Sequence, residues 1–148
     1  MAQEEGLLSE YEALMAQKKA KLSSILMIAQ GQKDLIARDE VETLRESMAR
    51  RMAISASIDL LDAQCLAIKR KLRKCTDESF EKMTELESGL IQIILRIQGI
   101  DQVIAEGLRE KISEYQNSIR QARLTKKGRE SYTQQYDTLD GVFFDAKK

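Results

Sequence analysis

The sequence predicts an all-α fold: an antiparallel three-helix bundle with a long projecting third helix and an aromatic C-terminal tail. Three observations carry this expectation. Proline is absent and glycine occurs 7 times in 148 residues, so little in the chain interrupts a helix. Charged residues make up 32% of it, the composition of long helices with polar outer faces. Apolar side chains recur in alternating steps of three and four, the spacing of one helix face.

The first helix has the seam Leu8, Tyr11, Met15, Lys18, Leu22, Ile25 and Ala29. Lys18 breaks the apolar rule, but its methylene stem still covers apolar surface. This seam predicts a helix over about residues 3 to 37. Asp39 followed by Glu42 fits a capping box in its Asp form, with the Asp39 carboxylate accepting from open N–H groups of the next helix. The second helix is then expected over about residues 40 to 74. Its seam is Ile58, Leu61, Cys65, Ile68, Leu72 and Cys75.

Thr76 and Asp77 signal the third start, with Glu78 complementing the helix dipole. The third seam runs Met83, Leu86, Leu90, Ile93, Ile97, Ile100 and Ile104. Ile91, Ile94 and Leu95 lie outside it, and an apolar surface wider than one stripe predicts contact with two neighbours at once. Short connections favour antiparallel packing.

After Ile104 the register slips at Gly107, and the apolar positions become Leu108, Ile112, Tyr115, Ile119 and Ala122. Helix three is expected over about residues 77 to 125, closing a bundle domain of residues 1–127 and leaving residues 128–148 as a tail. An antiparallel helix three draws level with the start of helix two near Ile112, so roughly 13 residues, about 20 Å, should project beyond the bundle. The stripe from Leu108 to Ala122 then needs a cover. The chain's own tail, a second copy in a homodimer, or a partner's amphipathic helix would each serve. The tail holds four of the chain's seven aromatics, Tyr132, Tyr136, Phe143 and Phe144. Such side chains give large contact area at small entropic cost, which makes them candidate anchors.

Catalytic chemistry is not expected. Histidine is absent, which removes the commonest general base and metal ligand. There is no CxxC and no glycine-rich phosphate loop, and the carboxylates are scattered among basic neighbours. The expectation is no enzyme, no metal and no cofactor. Cys65 and Cys75, about 15 Å apart along one helix, cannot bridge each other and are read as reduced, buried thiols.

The 24 basic and 24 acidic residues cancel, so no global field draws the chain to nucleic acid or anionic lipid. The start of the chain lacks a basic region followed by an apolar run. Its most apolar stretch, LIQIILRIQGI, is broken by Gln92, Arg96 and Gln98. A soluble, cytoplasmic protein without membrane insertion is expected. Two basic clusters stand out: KRKLRK at residues 69–74, and Arg120, Arg123, Lys126, Lys127 and Arg129. KRKLRK fits a helix C-terminus, where cations complement the dipole. It has no interleaved aromatics for base stacking. Nucleic-acid binding is therefore the lesser expectation, and low-salt DNA binding is its test.

The segment LLSEYEALMAQKKAKLSSILMIAQGQKDLIARDEVETL resembles the first part of FlgN-type flagellar export chaperones. The matching residues are Tyr11, Glu12, Leu14, Gln32, Lys33, Leu35, Ile36, Asp39 and Leu44. The end, with Tyr132 and GVFFDAKK, is similar to that family's as well, so the likeness spans nearly the whole chain. Two cysteines in helix two depart from the family's pattern. The resemblance implies a cytoplasmic chaperone for the C-terminal helical segments of the hook–filament junction proteins FlgK and FlgL. It would keep those segments from assembling early and pass them to the export gate FlhA. On this chain it implies cargo binding at Leu108, Ile112, Tyr115, Ile119 and Ala122, and gate docking through Tyr132 or Tyr136. The alternative expectation is a coiled-coil scaffold or dimerisation module with no export role.

Overall fold

A computed structural model of the chain describes residues 2–146, with side chains described for residues 2–132. Helix α1 spans Ala2–Ala37, α2 spans Val41–Lys71 and α3 spans Asp77–Ala146. The chain divides into two compact units, Met1–Gly107 and Leu108–Lys148.

The first unit is a three-helix bundle. Side-chain pairs define its directions. Between α1 and α2, Lys18 pairs with Asp62 and Gln32 with Ser47, so these helices run antiparallel. Between α2 and α3, Arg51 pairs with Asp101 and Lys69 with Glu87, again antiparallel. Tyr11 meets Glu87, and Ile36 lies 3.5 Å from the position a Cβ would take on Gly107, so α1 and α3 run in the same direction.

Heptad spacing becomes burial in this unit. Tyr11, Met15, Leu22, Ile25 and Ala29 of α1 are buried, as are Ile58, Leu61, Cys65 and Ile68 of α2 and Met83, Leu90 and Ile97 of α3. Lys18 is half-buried at its seam position, its stem packed and its ammonium paired with Asp62. The α1 core face is wider than its predicted seam, taking in Leu14 and Leu26, and it continues along the seam through Gln32 to Ile36. Two helices flank α1, so a second row of its side chains is covered. On α3 the extra apolar width is used only in part: Ile94 packs against the core, whereas Ile91 and Leu95 remain exposed. Both cysteines are free thiols, Cys65 buried and Cys75 half-buried. Burial pushes the Cys65 thiol above its ordinary value.

The first turn corrects one expectation. Asp39 is not the N-cap of α2; that position belongs to Glu40, whose side chain makes no capping bond. Asp39 instead has φ 57°, the left-handed residue that closes α1. Its N–H donates to Ile36 O at 3.2 Å, and the Glu40 N–H donates to Leu35 O at 3.1 Å. These two bonds form a Schellman motif, which satisfies carbonyls the helix end would otherwise leave open. Aspartate serves because Asn and Asp visit this conformation more readily than other side chains.

The second turn follows the predicted signal more closely. α2 stops at Lys71, three residues before the expected Lys74, and the Leu72 N–H still donates to Ile68 O at 2.9 Å. Thr76 Oγ1 accepts from the Ser79 N–H at 3.3 Å, the geometry of an N-cap for α3. Glu4, in the first turn of α1, accepts from the Thr76 N–H at 2.7 Å and from its hydroxyl at 3.1 Å. The backbone donor of Thr76 holds the Glu4 carboxyl below its ordinary value.

Helix α3 departs most from expectation. Predicted to end near Thr125, it continues to Ala146, so the segment 128–146 read as a separate tail is helical backbone. Gly128 and the cations before it do not stop the helix. A helical glycine costs about 1 kcal/mol against alanine, which cannot end a helix rich in Gln, Glu, Lys and Arg with no proline in it.

Candidate docking face

The second unit contains a helix face without a core. Every described side chain from Ile112 to Tyr132 is exposed. Leu108 is half-buried. Ile112, Tyr115 and Ile119 keep 54%, 53% and 52% of their surface exposed. Ala122 is exposed as well. Residues 108, 112, 115, 119 and 122 recur at steps of four and three, so they align along one face. The face is apolar for about four turns.

The same spacing carries on beyond Ala122, and its next members are Lys126 and Arg129. The apolar seam therefore turns basic without leaving its face. Arg120, Arg123, Lys126, Lys127 and Glu130 line a shallow hollow around Leu124, itself exposed. In the sequence these cations read as a helix end or a nucleic-acid patch; their place on the apolar seam escaped that reading. Counting onward from Ala122 would have found it.

Of the candidate anchors, Tyr132 is 70% exposed. The side chains of Tyr136, Phe143 and Phe144 lie outside the described residues.

The first unit holds a different kind of cluster. Arg51 donates to both oxygens of Asp101, at 2.7 and 2.9 Å, and its Nη1 also donates to Gln32 Oε1 at 2.9 Å. Gln32 Nε2 donates to Ser47 Oγ at 3.0 Å, and that hydroxyl donates to Leu44 O at 2.6 Å. Gln32 and Ser47 are each 2% exposed. The chain of donors fixes the amide orientation, since a guanidinium can only donate and so must face the amide oxygen. The cluster joins all three helices and leaves no described buried side-chain polar atom without a partner. Its chemistry is structural: none of its buried side-chain polar atoms lacks a partner, and the guanidinium is held charged by Asp101.

A second bridge lies toward the other end of this unit. The Tyr11 hydroxyl donates to Glu87 Oε1 at 2.9 Å, and Lys69 pairs with the same oxygen. Burial pushes the Glu87 carboxyl up, but the bonds from Lys69 and Tyr11 outweigh it and the net direction is down. Burial and then the Glu87 bond raise the Tyr11 phenol, so it stays a donor. Lys69, part of the KRKLRK run, is thereby engaged in tertiary structure.

No group of three or more His, Cys, Asp or Glu among the described residues is placed to hold a metal ion. No helix among them is long and apolar enough to cross a membrane. Comparison with known proteins finds no matching family model, no similar curated protein and no similar solved structure.

Proposed function

We propose that the chain is a cytoplasmic flagellar export chaperone of the FlgN type, and that the face from Leu108 to Ala122 holds the C-terminal helical segments of FlgK and FlgL. The observation that supports this reading is the exposure of Ile112, Tyr115 and Ile119 along one helix face. A helix face of this kind suits a second amphipathic helix, anchored by side chains one turn apart. The resemblance of the sequence to that family supplies the identity of the cargo. Tyr132 or Tyr136, with Phe143 and Phe144, would serve the export gate FlhA.

The strength of such a site suits a carrier. Three side chains about half exposed would contribute about 2–5 kcal/mol on complete burial, before ordering costs. Cargo held this way can be released.

The test uses the full chain and purified C-terminal segments of FlgK and FlgL from the same genome. A defined complex by size-exclusion chromatography with light scattering, lost in Ile119→Asp, is the expected result. Failure of both segments to bind the wild-type chain sinks the proposal. The competing reading, a scaffold whose heptad face pairs with a second copy, draws on the same spacing. It predicts a dimer that Ile119→Asp converts to monomer in the absence of any cargo.

A further inference from the structure

We propose that the occupant of this face is a helix whose apolar seam ends in carboxylates. The inference rests on the reading above that the face from Leu108 to Ala122 takes a helix, and it adds the chemistry and orientation of that helix. The apolar positions Ile112, Ile119 and Ala122 lead at constant spacing to Lys126 and Arg129. A helix long enough to cover the first part of the seam runs on over the second. A uniformly apolar partner would bury two cations there without a counter-charge, which is costly. A partner with Asp or Glu at its last seam positions would pair them, and Arg120, Arg123 and Lys127 on the flanks add to the same field.

Charge also weighs against the other occupants. A second copy in parallel register sets Lys126 against Lys126 and Arg129 against Arg129. An antiparallel copy centred on Tyr115 sets Lys126 and Arg129 against residues 104 and 101, where Ile104 and Asp101 are already half-buried in the first unit and Asp101 already pairs with Arg51. A lipid surface wants an unbroken apolar face with cations at its edges, and here the cations interrupt the face. Nucleic acid would find the cations but no use for two isoleucines in line with them.

Two synthetic helical peptides provide the test, each made in both chain directions. They share a leucine seam and differ only in its last two positions, glutamate in one and lysine in the other. Binding to the full chain is read by fluorescence anisotropy at low and physiological salt. The acid-ended peptide should bind about tenfold more tightly than the lysine-ended one, and the margin should shrink with salt. The double variant Lys126→Glu with Arg129→Glu should reverse the preference, and Ile119→Asp should weaken both peptides. Circular dichroism establishes that each variant keeps its helices.

Equal binding of the two peptides, or a preference that survives the charge reversal, overturns this inference and leaves the docking reading standing. Binding that Ile119→Asp does not change, or no binding by either peptide, overturns both. Phosphatidylserine vesicles or duplex DNA bound through Lys126 and Arg129 in preference to the acid-ended peptide would replace the partner proposed here.

Discussion

Ile97 and Ile119 stand on the same helix, at seam positions with the same three-and-four spacing, and they meet opposite fates. Ile97 is buried in a core with Tyr11, Leu61 and their neighbours, whereas Ile119 keeps about half its surface exposed. The difference is in the company, not the pattern. In the first unit α3 is flanked by two other helices that supply apolar surface, and its Asp101 is paired by Arg51, which is linked to Gln32 and Ser47. In the second unit the seam has no such cover among the described side chains. An apolar stripe is thus a statement about what a helix needs, and only the rest of the chain says whether it is met.

The largest effect that would sharpen this contrast is Ile97→Ala. Removing a buried side chain from the core should cost about 2–5 kcal/mol, seen as a lower midpoint in urea unfolding monitored by circular dichroism. A cost well under 1 kcal/mol would place Ile97 outside the core and blur the distinction between the two units.

Arg51→Met comes next. It leaves Gln32 Oε1 and the Asp101 carboxylate without their donor, and a loss of about 1–3 kcal/mol is expected, discounted for the partial exposure of Asp101. Replacing Asp101 by Asn in the same background should cost little more, because the two act as one pair. An additive loss in the double variant would refute that coupling.

A smaller, pH-dependent effect attaches to Glu87. Its folded carboxyl titrates below the ordinary 4.5. The stability it contributes is therefore complete above the unfolded value and is lost as pH falls through the lower folded value. Glu87→Gln should make the decline in stability as pH falls below the ordinary 4.5 shallower than in the wild type. An unchanged slope would show that the Tyr11–Glu87–Lys69 bridge does not act in solution.

The smallest change is expected from Ile119→Asp. An exposed position away from caps and core should move stability by no more than about 0.5 kcal/mol. A loss comparable with that of Ile97→Ala would mean that the second unit has a core of its own, or that a second copy covers it.

The seams of the three helices were legible in sequence because periodicity and burial share one cause in a bundle: each helix presents a face at fixed angular steps. The α3 start at Thr76 was legible for a local reason, a hydroxyl three residues ahead of an open N–H. The Asp39 turn was misread because an aspartate beside a helix start can cap with its carboxylate or close the preceding helix in the left-handed region. Here the left-handed conformation prevails, closed by bonds to the Leu35 and Ile36 carbonyls. The Gln32–Ser47–Arg51–Asp101 cluster was hidden, since its members lie far apart in the chain and two of them look like ordinary surface residues. A glutamine at the seam position after Ala29 was its only sign.

For this protein, then, the order of residues alone decided that it would be helical and where apolar faces would run, because those properties depend on neighbours three or four positions away. The tertiary structure decided which faces are covered and where α1 ends. Those outcomes depend on residues brought together from distant parts of the chain. Burial is a property of the assembled whole, and no single helix can specify it.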